Sequence, residues 1–593
     1  MAEASFLEHY AEELRALRGR AARFADAFPK IAGRLRLAPG TTDDPHVERL
    51  IQGVAYSNAR LRQKIDDEFP QLTGALLETL LPNALAPVPA MSVVAFEPVP
   101  GLGKVQTIPR HTEIEAGPVE GEPIRFRTSQ AVALAPLRLA SARIMNRPFE
   151  APAPPRPDAA GCLRLTFEPM GKTRLHEARV ERLRLFLAGA PRDAEALMAL
   201  ILQGVQGVAL AAHSGDEAPR RLPGSAVTQA GFARDEGLLP VPPGGLDGHR
   251  LLVERFALPE KFLFLDVETG PLPHPDRVDV YLYLARAPGE LERRLDAGAF
   301  ALHATPVVNL FPTRAEPVPI DGTRPDHPLT VDARRPLAKR VHSVSGVTLA
   351  EAGGPSRAAR PYFHRLTERG ARGVFHQLVR HPSSPGEPAG EVSIAFVDGR
   401  GAETRARETT ATVEVLATNG QLPLALPFGG GQPKLTVPGG VENVAHVACL
   451  LPVTAPRRAD TGRGREWRLT SHLALNHLSL TEEGAAALKG ILRLHDPGDD
   501  REVAQTIDAI SGVATAPAIA RIRGVTVSGV DVRITFDPGR IEEGRAVVFG
   551  TVLDRFLGVH ATVNTFTRLA LRMEGRTDDI AAFPARAGEG ALS

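Results

Sequence analysis

The chain has 593 residues, 70 of them basic and 69 acidic, and the resulting formal charge of +1 gives no reason to expect nucleic acid or another polyelectrolyte as partner. Two cysteines, Cys162 and Cys449, exclude a disulfide framework and offer no CxxC to a metal. Hydrophobic residues at 43% and charged residues at 23% describe an ordinary globular protein, whose length predicts about three to five domains.

The first element is an amphipathic helix over residues 6–28, with Phe6, Tyr10, Leu14, Leu17, Ala21, Phe24 and Phe28 at steps of three and four, stopped near Pro29. Asp44-Pro45 is a cap and first-turn pair. The helix it opens repeats Val47, Leu50, Ile51, Val54, Asn58, Leu61, Ile65 and Phe69 helically up to Pro70. A third helix, residues 72–81, ends at Pro82. Leu72, Leu76, Leu77, Leu80 and Leu81 leave it little polar face, so it should be buried among the others or in a partner. Leu76 and Leu80 are its interface candidates. The amino terminus lacks the apolar core of a signal peptide. The longest uncharged run, residues 196–212, is too short and polar to span a bilayer. A cytoplasmic protein without membrane insertion is expected.

From Pro87 the texture changes to short strands, at 91–96, 124–128, 131–135, 163–168 and 183–187, with a helix near 193–202. The central stretch predicts a short helix or strand at 250–258, a buried strand at 262–267 and another at 306–311. Pro312, Pro317 and Pro319 then mark a segment that cannot lie inside a sheet and should cross a surface. Strands follow at 372–378, 391–398 and 410–417, and Asn419-Gly420 predicts a tight turn. A helical run begins at 467–480 and continues through 485–494. Residues 525–536 alternate as a strand. Residues 548–567 read as a helix whose stripe Val552, Phe556, Val559 and Val563 either closes its own domain or docks on a partner, docking being favoured.

The fold class is therefore multidomain α+β: a helical region at 1–86, a β-rich domain at 87–240, a mixed central domain at 241–345, a second β-rich domain at 346–465 and an α+β domain at 466–593.

No reaction chemistry emerges from spacing. Gly101-Leu-Gly-Lys104 lacks the P-loop's upstream glycine and its Ser or Thr after lysine. His472 and His477 are five apart, so a helix turns them to different faces. Asp66-Asp67-Glu68 point about 100° apart along a helix, and 496–500 lacks the EF-hand pattern. Arg334 and Arg335, with Lys339 and Arg340 beside Asp332, predict a salt-bridge knot, within the chain or between subunits. No catalytic residue, cofactor or metal is expected.

Several segments carry a resemblance: FALPEKFLFLD (256–266), TPVVNLFPTRAEP (305–317), DARRP (332–336), the amino-terminal helices, SHLALNHLSL (471–480), VLDRFLGVHATVNTFTRL (552–569) and PARAG (584–588). In that order and spacing they resemble the TssF family (VasA/ImpG-like), wedge subunits of the bacterial type VI secretion baseplate. The resemblance implies an elongated, wedge-like structural protein, similar to contractile-phage wedge proteins. Two copies would clasp one TssG, bind TssK adaptor trimers and join a VgrG-like spike hub, with TssE-like and sheath components above. It would act in the cytoplasm at the inner-membrane-docked baseplate, docking the contractile tail and starting sheath assembly. A wedge protein of a contractile phage or related injection particle is the runner-up, and a β-rich hydrolase comes third.

Overall fold

A computed structural model describes residues 10–11, 13–15, 17–18, 29–34, 37–38, 41–42, 44–68, 70–242, 245–320, 324–351, 354–362, 373–381, 392–398, 409–458, 469, 484–496, 500–522, 524–559, 561 and 565–588. The chain forms two compact units, Met1–Leu76 with Gly462–Thr470, and the remainder.

In the first unit, α1 (Pro29–Arg34) and α2 (Pro45–Glu68) flank a short pairing of Leu37–Ala38 with Thr41–Thr42. Asp44 caps α2 as expected, its Oδ1 accepting the His46 N–H at 2.9 Å. The buried face of α2 differs from the expected stripe. Ala55 and Ala59 are fully covered, whereas Leu50 is 69% and Val54 48% exposed. Of the predicted helix at 6–28, the described residues between 10 and 18 are helical, and the remainder lies outside the described residues.

The helix α3 (Pro70–Leu80) spans the boundary between the units at Leu76/Leu77 and stops before Pro82; Leu77 and Leu81 are buried, and Leu76 and Leu80 are half-buried. In the second unit, a closed barrel is assembled from distant parts of the chain: Ala304–Val308, Met91–Pro98, Val444–Cys449, Leu435–Thr436, Glu113–Val119 and Glu122–Thr128. Beside it lie a sheet ordered Val227–Gln229, Phe264–Glu268, Arg182–Leu187, Phe300–Leu302 and another ordered Arg220–Pro223, Val205–Ala211, Val278–Leu284, Gly161–Pro169, Leu137–Asn146. Three helices cover them: α4 (Pro191–Leu202), α5 (Asp247–Ala257) and, from the far end of the chain, α8, described below.

Two sheets around Val413, Val415, Ile394 and Phe396 form a separate sandwich. Here the proline-rich segment departs from expectation. Phe311–Arg314 and Val318–Ile320 both pair with Thr409–Thr418, bringing Pro312 opposite Leu416 and Pro319 opposite Thr410. The prolines are tolerated because both pieces lie on the sheet edge, where a missing N–H faces outward. Asn419-Gly420 turns as expected, with Leu422 N–H donating to Asn419 O at 3.2 Å and Gly420 at a φ of 58°. The chain leaves the sandwich there and returns to the barrel.

At the carboxy terminus, α6 (Gly484–His495) and α7 (Arg501–Asp508) lead into a long hairpin, Ile510–Ile522 with Val525–Phe536. Next, α8 (Glu543–Val559) crosses over to Thr565–Met573, which pairs parallel to Val525–Phe536. The predicted helix at 548–567 therefore begins earlier and ends earlier. A parallel connection needs a strand at 565, and Thr565, Phe566 and Thr567 suit one. The sheets cross the expected boundaries at 240/241 and 345/346, since the central stretch supplies strands to several sheets.

Candidate functional site

The centre of the large unit is a charge cluster on α5. Glu254 is fully buried, and Arg250 and Lys261 are 1% and 0% exposed. Arg250 Nη1 donates to Glu254 Oε2 at 3.0 Å, Lys261 Nζ donates to the same oxygen, and the N–H groups of Leu238 and Leu239 donate to Oε1 at 2.8 and 2.9 Å. Burial works against charge on Glu254. Arg250, Lys261 and the backbone donors outweigh it and hold the carboxyl below its usual range. Burial pushes the Lys261 ammonium down to about 8. The one-turn 3₁₀ segment Pro259–Phe262 folds Lys261 back over Glu254, which is the structural role of the proline break.

The other segments carrying the resemblance hold comparable locks. Asp266 receives Arg184 through two bonds of 2.7 Å. Asn309 and Asn419, both fully buried, bond each other twice, at 2.8 and 2.7 Å, and reach Arg125 O and Pro123 O on the barrel. Asp332 Oδ1 accepts the N–H groups of Arg334 and Arg335. Arg335 and Lys339 reach Glu122 at 2.9 and 3.1 Å. Arg586 grips Asp554 at 3.0 and 2.6 Å. Glu195 on α4 joins Arg255 on α5 to Arg545 on α8 at 3.6 and 3.1 Å.

The expected interface residues separate accordingly. Arg335 makes its ion pair within the chain while remaining half-exposed, and the Arg334 side chain is exposed, so the knot is a surface one. Val552 and Phe556 are fully buried, and Val559 is half-buried with its Cγ2 against Gly248 of α5. The favoured docking reading does not fit Val552 and Phe556, which close the chain's own core. A Cβ at Gly248 would stand 2.5 Å from Val559 Cγ2, so glycine is what lets α5 and α8 meet. Val563 lies outside the described residues.

Sequence reading missed Glu254, Lys261, Asp266, Asn309, Asn419 and Asp554. The available signal was a polar residue inside an otherwise apolar run, which on folding must either be paired or not be buried.

The groups considered for chemistry are dispersed. Gly101–Lys104 leads into a strand at Gln106–Ile108 and not a helix. Asp500 caps α7 and receives Arg457 at 2.6 Å. His472 and His477 lie outside the described residues, as do the side chains of Asp66, Asp67 and Glu68. Among the described residues no group of three His, Cys, Asp or Glu is placed to hold a metal, and no helix is long and apolar enough to cross a membrane. Burial raises the Cys162 thiol to about 12. An open recess of about 610 Å³ between α4 and the start of α8 holds arginines that are already paired: Arg192 with Glu542, Arg294 with Asp193, and Arg286 and Arg576 with Glu543. Such an arrangement joins elements; it does not poise a group for proton or acyl transfer.

Residues 2–590 match the family described as "Type VI secretion system, TssF". A curated relative, the type VI secretion system component TssF1 of Pseudomonas aeruginosa, is 32% identical over 616 aligned residues, 98% of each chain being covered. Among solved structures, a chain of the TssK-TssF-TssG baseplate subcomplex determined by cryo-electron microscopy is similar with a TM-score of 0.71 and 25% identity, over 91% of this chain and 99% of that one. A chain of a type VI baseplate complex is similar with a TM-score of 0.53 and 26% identity, over 95% and 96%.

Proposed function

The chain belongs to the TssF family and is a subunit of the type VI secretion baseplate, and from that premise we propose how it is used there. Two copies clasp one TssG, the resulting wedge binds TssK, and wedges join around a VgrG-like spike hub beneath TssE-like and sheath components. The complex stands in the cytoplasm at the inner membrane, where it docks the tail and starts sheath assembly. The protein is an architectural part and not an enzyme.

The observation that carries this reading is the match along residues 2–590, together with the likeness to a chain of a TssK-TssF-TssG subcomplex. Physical support comes from where the charge and the apolar surface lie. Buried charges are paired inside the chain at the segments that resemble the family. Large apolar side chains remain uncovered on α2, at Leu50 and Val54, and on the carboxy-terminal hairpin, where Ile519 is 73% and Val525 64% exposed. Covering such side chains contributes about 25 cal/mol per Å², which suits subunits that pack permanently. We assign Leu50 and Val54 to a partner, and keep Leu76 and Leu80 as further candidates.

Co-expression with the TssG candidate and mass measurement of the purified complex tests the assembly. A two-to-one complex is expected, weakened by Leu50→Asp with Val54→Asp. A one-to-one complex, or no complex, would refute the stoichiometry.

A further inference from the structure

The outer face of the barrel strand Glu122–Thr128 buries a guanidinium with nothing to bind. Arg127 is only 9% exposed, it makes no hydrogen bond or ion pair, and its Nε is enclosed without an acceptor. Three neighbouring groups share that deficit. The turn at 109–112 is tied to the strand end by His111 N–H donating to Thr128 O at 3.0 Å and Thr112 N–H donating to Thr128 Oγ1 at 3.0 Å. It brings up Arg110, which gives one Nη to Gly237 O at 2.9 Å and leaves its Nε enclosed and unmatched. Ser129 lies two residues beyond Arg127, on the same side of an extended chain, and its Oγ is enclosed without a partner. His342, 1% exposed, uses Nδ1 on Ser343 Oγ at 3.2 Å, and its Nε2 is likewise enclosed and unmatched.

Among the described residues no carboxylate bonds to Arg127, Ser129 Oγ or His342 Nε2, and Arg110 has only the through-space attraction of Asp235 and Glu254. Glu113, opposite Arg127 on the paired strand, turns to Arg125 at 3.4 Å. Arg380, whose Nη2 donates to His342 O at 2.6 Å, is itself paired with Glu78. Burial and then mutual repulsion both disfavour charge here. Burial and the charge of Arg110 bring Arg127 down to about 10. Burial, with Arg127 and Arg110, brings His111 to about 4. Burial, then Arg380 and Arg127, brings His342 to about 3. A buried ionised group without a counter-charge is strongly disfavoured, and elsewhere in this chain buried charges such as Glu254 and Asp266 have theirs.

We propose that Arg127, Arg110, Ser129 and His342 form an anion site that takes one oxyanionic group. Arginine's planar fork fits two oxygens at once. With His342 Nδ1 accepting from Ser343, its Nε2–H donates to a third. The exposed His111 marks the open side. The oxyanion is either free, of the inorganic phosphate class, or a carboxylate carried in by a neighbouring subunit. The second source rests on the baseplate reading; the first does not.

Calorimetric titration of the purified full chain with inorganic phosphate, beside Arg127→Met and Ser129→Ala, tests the site. A free oxyanion is supported by saturable binding to the wild type that falls at least tenfold in both variants. A carried carboxylate is supported if phosphate does not bind and affinity for TssG falls at least tenfold in both variants, while the wild-type complex forms normally and Arg335→Ala leaves it unchanged. Phosphate binding that the variants do not alter is adventitious and overturns the site. Unchanged affinity for both phosphate and TssG overturns it too, and because the wild-type complex is measured alongside, that failure is distinct from failure of the assembly reading.

Discussion

Replacing Glu254 by Gln keeps the shape of the side chain and removes the charge that Arg250 and Lys261 share. The amide oxygen can still accept from Leu238 and Leu239, whose N–H groups point at Oε1, but the amide NH₂ then faces the Lys261 ammonium. Arg250 retains Asp247, at 3.4 Å and partly exposed; Lys261 retains nothing comparable. Breaking a buried pair by removing one partner costs about 3–5 kcal/mol. A chain with several domains does not unfold in one step, so the readout is local: amide hydrogen exchange across α5 and the following 3₁₀ turn. The free energy of opening should fall by about 3–5 kcal/mol in Glu254→Gln. Adding Lys261→Met should recover most of it, since apolar replacement of a buried pair is often neutral or better. A Glu254→Gln protein whose exchange there is within about 0.5 kcal/mol of wild type would refute the reasoning.

Phe556→Ala, at a fully buried position under the edge of the His249 ring, should cost about 3–5 kcal/mol through the cavity left behind; Phe556→Asp should lower the melting temperature of the isolated chain further, and an unchanged melt would return the residue to a docking role. His303 accepts the Ala135 N–H on Nε2 at 3.1 Å, and burial brings it to about 4 from 6.5. The neutral ring belongs to the fold, so its contribution is intact above pH 6.5 and declines as pH falls toward 4, by about 3 kcal/mol in all. His303→Asn should flatten that part of the melting profile between pH 7 and pH 4. Arg335→Ala breaks a half-exposed pair with Glu122 and should change stability by about 1 kcal/mol or less, measurable as a small shift in the thermal melt; a loss as large as that of Glu254→Gln would place the knot among the buried locks.

Much of the local structure was legible in the residues alone. The helix opened by Asp44-Pro45, the stop of α3 at Pro82 and the strand alternation ending at Phe536 follow from caps, proline geometry and period, which act within a few residues. The family was legible too, because its segments are many and colinear. Which face each element buries was another matter. On α2 Leu50 and Val54 face outward and Ala55 and Ala59 inward, and on α8 Val552 and Phe556, taken for part of a docking face, are core. Period fixes where the faces lie but not which neighbour, own chain or partner, covers one. The barrel draws strands from residues 91 to 449, and no local signal specifies such pairings. Glu254 with Lys261, Asn309 with Asn419 and Asp554 with Arg586 read in sequence as polar interruptions of apolar runs. Only the tertiary structure decides their meaning, because a charge is stabilised in a core by the partner that folding brings within about 3 Å of it, and that partner can lie anywhere along the chain.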